Sequence, residues 1–208
     1  NGADAVYLGA ERFNARDDGA QLSLDDVERA CRIAHAHGAR VYLTFNILFK
    51  PAELRDALLH LGECVDRGID AAIVQAFPLP PVPARQVHDA IAELAARHPG
   101  RIYGMASVWP HIPAEEYRRE AERCVRELGF VGLKLHPLGH LAPILSHAAD
   151  IVFETAALLQ VPVMIHTGFG VPFTLPSLAI PRARKFPGLR IVLAHAGESL
   201  YSEEAVVA

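Results

Sequence analysis

The sequence predicts an α/β fold: a parallel (β/α) barrel of the TIM type, incomplete at seven strands. Two observations predict it. Short apolar runs alternate with helical patterns along all 208 residues, which is the rhythm of parallel strands joined by crossover helices. Three of those runs also share one design. Residues 132–137 (GLKLHP), 161–168 (VPVMIHTG) and 190–197 (RIVLAHAG) are each an apolar stretch ending in a polar residue, then Pro or Gly. Each fits a buried parallel strand whose last inward residue emerges at the C-terminal end. The emerging residues Lys134, His166 and His195 are 32 and 29 positions apart, one strand–helix unit per step. In a parallel barrel such ends converge on one mouth.

The elements follow in order. Residues 5–10 (AVYLGA) form the first strand. Ser23 and Asp26 open a helix that runs to Gly38, in the manner of a capping box. Residues 40–46 (RVYLTFN) are the second strand, and Pro51 suits the first turn of a helix ending near Gly68. Residues 71–75 (AAIVQ) are the third strand, and the proline-rich stretch 77–83 is a loop. A helix runs to His98, where Pro99 and Gly100 stop it, and residues 102–108 (IYGMASV) are the fourth strand. Pro113 opens a helix ending at Gly129. The last three strands are separated by helices near 143–160 and 175–186, and a final helix starts around Glu198. No Gly-x-Gly-x-x-Gly follows the first strand, so a dinucleotide fold is unsupported.

Bulk properties narrow the function. The hydrophobic fraction of 51% supplies a large core, and the formal charge of −4 offers no basic field for nucleic acid. No apolar run approaches a membrane span and no signal peptide precedes the first strand, so the expectation is a cytoplasmic protein without a membrane partner. Cys31, Cys64 and Cys124 fall singly in helical patterns and read as reduced residues. The first strand begins almost at Asn1, which suggests a fragment or a fusion. An unpaired barrel edge would favour a homo-oligomer.

Imidazoles at strand ends are suited to a divalent metal, zinc in the first instance, which activates a water and polarises a carbonyl. His166 and His195 are the candidate metal-binding residues, with His195 also a candidate for moving protons. Lys134 joins them as a carbamate ligand or as a group that holds an anionic substrate. His136 shares the face of Lys134 by the period of two and is a candidate substrate-binding residue. His35 and His37 lie at a helix end, where imidazole suits the helix dipole. His60, His88, His98, His111 and His147 fall on helices or loops and need no site. His140 is closer to the mouth, in the loop after Lys134.

Two family resemblances accompany this pattern. Residues 2–9 (GADAVYLG), 12–16 (RFNAR), 23–24 (SL) and 41–46 (VYLTFN) resemble the start of the collagenase-like peptidase family, the U-type peptidases. That family's cysteine-rich signature is absent, so over residues 1–75 the resemblance implies a barrel start. Asn14 and Arg16 are the candidate ligand contacts there, with Asn46 in a peptidase-type pocket. From about Gly68 onward, residues 68–74 (GIDAAIV), 98–101 (HPGR), 106–108 (ASV), 132–137, 161–168 and 193–197 resemble the amidohydrolase superfamily, in its metal-dependent hydrolase branch. This resemblance implies a distorted barrel with one or two divalent metals. It assigns a metal ligand to His166, a ligand or catalytic role to His195, and a carbamylated-lysine position to Lys134. The implied activity is hydrolysis or decarboxylation of a small amide, ester or carboxylate. The family's His-x-His on the first strand and aspartate on the eighth have no counterpart in position, so metal binding and turnover are expected to be weak.

Overall fold

The structure is a computed structural model that describes residues 4–12, 22–44, 53–75, 82–168 and 171–208. The chain divides into two compact units, Asn1–Val74 with Ala90–Gly104, and Gln75–Asp89 with Met105–Ala208.

In the first unit β1 (Ala5–Gly9) pairs in parallel with β2 (Arg40–Thr44), and β3 (Ala72–Val74) pairs in parallel with β4 (Ile102–Gly104). Ser23 caps α1 (Leu24–Ala36): its hydroxyl accepts the Asp26 N–H at 3.2 Å and donates to the Asp26 carboxylate at 2.7 Å. The box read from the sequence is therefore made by Asp26. Val27 and Cys31 form the buried side of α1, and Leu61, Cys64 and Val65 that of α2 (Leu54–Asp66). The Arg101 guanidinium donates to the carbonyls of Val65 and Ile69, which satisfies the C-terminal end of α2. His35 and His37 do lie at the end of α1, with His35 paired to Asp70 at 2.7 Å and His37 bonded to the Ile33 carbonyl.

The boundary between the units falls within α3 (Ala84–Arg97). The second unit carries a three-stranded parallel sheet, β5 (Leu133–Leu135), β6 (Val163–His166) and β7 (Ile191–Ala194), in that order. Its register places Leu133 beside Val163 and Val163 beside Ile191. Leu133, Leu135, Val163 and Ile165 are fully buried, each contributing roughly 1.5–3 kcal/mol. The alternation leaves Lys134 and His136 on the other face of β5. Gly132 precedes β5 because a Cβ there would lie 2.5 Å from Met105 Cε and 2.8 Å from the Pro162 carbonyl.

Helices of the second unit bury helical stripes. α4 (Ala114–Arg126) buries Tyr117, Ala121 and Cys124, and α5 (His147–Leu159) buries Ala149, Val152, Phe153 and Ala156. α5 packs on β5 and β6. The segment after β6 departs from one continuous helix: 3-10 turns at Pro172–Thr174 and Pro176–Leu178 precede α6 (Ala179–Lys185). Pro172 and Pro176 explain this, since each suits the first position of a new turn and interrupts a running helix. β4 is shorter than the sequence suggests, because beyond Gly104 only Ala106 makes a bridge, to Leu133. α7 (Glu198–Val207) closes the chain.

All strand pairs are parallel and alternate with helices, in an α/β fold consistent with an incomplete TIM-like barrel. Among the described residues there is no closed eight-stranded barrel. No helix there is long and apolar enough to cross a membrane.

Candidate functional site

The ends of β5, β6 and β7 bring three of the expected residues together. The imidazoles of His136 and His166 are stacked, with centroids 4.2 Å apart and planes 8° apart. His195 meets His166 edge-on at 4.8 Å. His166 is the last residue of β6, His136 follows β5 directly, and His195 follows β7. Lys134 is buried on β5 and bears electrostatically on both His136 and His166. Asn14, Arg16 and Asn46 lie outside the described residues, as do residues 77–81 of the proline-rich loop.

The turn carrying His195 is held in an unusual backbone conformation. His195, Ala196 and Glu198 have φ of 65°, 46° and 55°. Each such non-glycine residue costs about 1–3 kcal/mol, and such strain gathers at functional sites. Thr167 holds the turn in place. Its hydroxyl donates to the Ala194 carbonyl at 2.7 Å and accepts the Gly197 N–H at 3.1 Å.

The cluster is made of basic groups and is largely buried, with His195 exposed. Burial pushes the Lys134 amine down to about 7. Burial, with the neighbouring basic groups, pushes His136 and His166 down to about 3. Among the described residues, Lys134 and neighbouring histidines add to the downward push of burial on these two histidines. Both imidazoles are thus neutral at pH 7, the protonation state that ligates a metal.

The two rings differ in what they present. The Gly139 N–H donates to His136 Nδ1 at 3.0 Å, so the proton of neutral His136 sits on Nε2. His136 is therefore a donor, and His166 and His195 are the imidazoles suited to a divalent cation. That donor set fits a metal as part of a site. A catalytic zinc site has three protein ligands, and Lys134 adds a third donor only as a carbamate.

A second group was missed in the sequence. His88 Nδ1, Glu120 and Cys124 Sγ lie within 4.8 Å of one another and form a candidate divalent-metal cluster. Only the i, i+4 spacing of Glu120 and Cys124 on α4 was visible beforehand; His88 comes from α3. The three groups are bonded to each other. His88 lies 2.8 Å from Glu120 Oε1 and 3.2 Å from Cys124 Sγ. Burial would raise the Glu120 carboxyl, but hydrogen bonds from His88 and Arg123 outweigh it and hold the group at about 2. Burial pushes the Cys124 thiol far up, so a metal here would have to displace a thiol proton.

Comparison with known proteins bears on family and fold. Residues 65–205 match the amidohydrolase family, and residues 1–90 match peptidase family U32. Gamma-resorcylate decarboxylase of Polaromonas sp. is 30% identical over 148 residues, covering 56% of this chain and 45% of that protein. The 23S rRNA 5-hydroxycytidine C2501 synthase of Escherichia coli is 39% identical over 75 residues, covering 36% of this chain and 11% of that protein. The chain thus spans less than half the length of these curated relatives. Among solved structures, 5-carboxyvanillate decarboxylase of Novosphingobium aromaticivorans, complexed with manganese and 4-hydroxy-3-methoxy-5-nitrobenzoic acid, is similar with a TM-score of 0.57. That similarity has 20% identity and covers 98% of this chain and 67% of the other, and it bears on the fold. The chain belongs to the amidohydrolase family, in a TIM-barrel-like fold whose N-terminal region matches peptidase family U32.

Proposed function

We propose that the cluster at the ends of β5, β6 and β7 is the site of a metal-assisted decarboxylase for a small hydroxyaromatic carboxylate. The observation that carries this reading is the grouping of Lys134, His136, His166 and His195, in which Lys134 and the neighbouring imidazoles add to the effect of burial on His136 and His166. Such a cluster favours an anionic substrate over a neutral amide. The decarboxylase relatives name acids of this class.

Decarboxylation replaces a ring carbon–carboxylate bond with a carbon–hydrogen bond. Carbon dioxide leaves, and one proton must reach the ring carbon. His136 Nε2–H and Lys134 orient the carboxylate. His195, exposed beside the buried His166, exchanges protons with water and delivers one to the ring carbon. His166 would hold the divalent ion, joined by His195 where that ring ligates instead of carrying the proton, and by Lys134 only as a carbamate, a form that no longer pairs with the substrate carboxylate. When bound, that ion supplies Lewis-acid polarisation of substrate oxygens. Zinc suits imidazole donors, whereas manganese accompanies the solved relative, so both are to be tried.

The test is release of carbon dioxide from 2,6-dihydroxybenzoate by protein loaded with Mn²⁺ or Zn²⁺, beside ester and amide probes. His195→Asn should lower kcat by about 10² to 10⁴-fold. Hydrolysis of the amide or ester without decarboxylation would return the site to the hydrolase reading.

A second reading rests on the match of residues 1–90 to peptidase family U32. In it the chain is a peptidase-type barrel or a scaffold without turnover, with Asn14, Arg16 and Asn46 lining the pocket. Protein that retains no metal after loading and turns over no probe would favour it.

A further inference from the structure

The residues after β5 form a turn closed on itself. The His140 N–H donates to the His136 carbonyl at 2.7 Å, and the His136 N–H donates to His140 Nδ1 at 3.3 Å. The Gly139 N–H reaches His136 Nδ1, and the Ala142 N–H reaches the Pro137 carbonyl at 2.9 Å. Leu141 completes the turn at φ 49°, a conformation a leucine rarely adopts. A backbone N–H can only donate, so Nδ1 of both rings is an acceptor and the neutral rings carry their protons on Nε2.

His140 is in turn fixed from behind. Its Nε2 faces Ser107 Oγ at 3.2 Å, and its carbonyl is 2.9 Å from His111 Nε2. The Ser107 N–H donates to His88 Nε2 at 3.1 Å. The proton of neutral His88 therefore lies on Nδ1 and is donated to Glu120, which Arg123 grips at 2.7 and 2.9 Å. His88, Ser107 and His140 are all completely buried. A hydrogen-bonded chain thus runs from Arg123 through Glu120, His88, Ser107 and His140 to His136.

We propose that His140, held by Ser107 and His88, is a positioning residue that fixes His136 as the Nε2–H tautomer. His136 then offers a proton donor to the cluster and orients a carboxylate instead of ligating the metal. The consequence for substrate rests on the carboxylate reading of the site; the tautomer itself does not. The same chain gives the His88, Glu120 and Cys124 group a role that needs no ion. These residues anchor Ser107, whose hydroxyl anchors His140.

The test is a long-range ¹H–¹⁵N spectrum of imidazole-labelled, metal-free protein for the parent, His140→Asn, His140→Phe and Ser107→Ala. An asparagine retains an acceptor where Nδ1 was, whereas phenylalanine removes both polar contacts. The parent and His140→Asn should show His136 with the Nε2–H pattern, and His140→Phe should show mixed tautomers. Ser107→Ala should move His136 in the same direction, and it serves alone if His140→Phe does not fold. Binding of 2,6-dihydroxybenzoate to the metal-loaded variants should weaken by about 10-fold or more in step with the mixing. An Nδ1–H pattern in the parent, or an unchanged Nε2–H pattern in folded His140→Phe or Ser107→Ala, would overturn the inference. An intact tautomer pattern in a parent that does not bind the acid would instead remove the carboxylate reading and leave the positioning in place.

Discussion

His166 lies with its ring parallel to that of His136, and both imidazoles are pushed down to about 3 by burial and by basic neighbours. His140, behind them, is pushed down to about 3 as well. Protonating both stacked rings would set like charges against each other, which favours the neutral forms.

The first prediction is a pH dependence of stability. Between pH 3 and 6.5 these histidines are charged in the unfolded chain and neutral in the folded one. The unfolded state therefore binds more protons, and stability rises with pH across that window. Moving from pH 7 to pH 5 should destabilise the protein by about 1–2 kcal/mol per buried histidine. Urea midpoints at pH 7, 6 and 5 read this directly. A flat series would mean that the imidazoles accept protons in place.

Lys134 extends the same slope to alkaline pH. Its folded value of about 7 lies below the ordinary 10.5, so stability should keep rising from pH 7 toward pH 10. Lys134→Met removes the buried amine and keeps the volume. It should raise stability at pH 7 by roughly 1–3 kcal/mol and abolish the alkaline part of the slope. Loss of stability in this variant would mean that the ammonium is paired in the fold.

Arg182 offers a prediction away from the site. Its buried guanidinium donates to the carbonyls of Ile144 at 2.8 Å and Ser146 at 2.9 Å, pairs with Asp150, and lies 4.8 Å from the Phe153 ring centroid. It fastens the start of α5 to α6, and Ser146 is the cap of α5. Arg182→Met should cost about 3–5 kcal/mol, because it leaves a carboxylate and two carbonyls short of donors. Denaturant unfolding measures it, and a change below 1 kcal/mol would show that water replaces the guanidinium.

Much of this architecture is legible in the sequence, for identifiable reasons. Parallel strands buried on both faces read as apolar runs, so a polar residue at the end of such a run stands out. Lys134, His166 and His195 are found that way, and His136 follows from the period of two. Ser23 is legible because a cap is a local device. What holds His136 is not legible. Ser107 and His140 are 33 positions apart, and His88 and Glu120 are 32 apart. Those pairs are made by tertiary packing of elements whose separate patterns say only strand, helix or loop. The left-handed conformation of His195 is equally hidden, since nothing but its glycine neighbour marks the turn.

The last prediction concerns metal. His166 and His195 supply two imidazoles, and His136 is turned to donate through its Nε2–H. Two neutral donors, with a lysine that ligates only as a carbamate, form a weaker set than the three protein ligands of a catalytic zinc site. Divalent metal should therefore bind weakly and should bind better in bicarbonate, which supplies the carbamate. Calorimetric titration with Zn²⁺ and Mn²⁺, with and without bicarbonate, should show binding that His166→Ala removes and His136→Asn retains. The same titration on Cys124→Ser separates the two candidate clusters, because binding at His88, Glu120 and Cys124 would be lost in that variant and kept in His166→Ala. Tight stoichiometric binding in the parent without bicarbonate would mean that further ligands complete the site. Equal binding by the parent and His166→Ala would remove His166 from it.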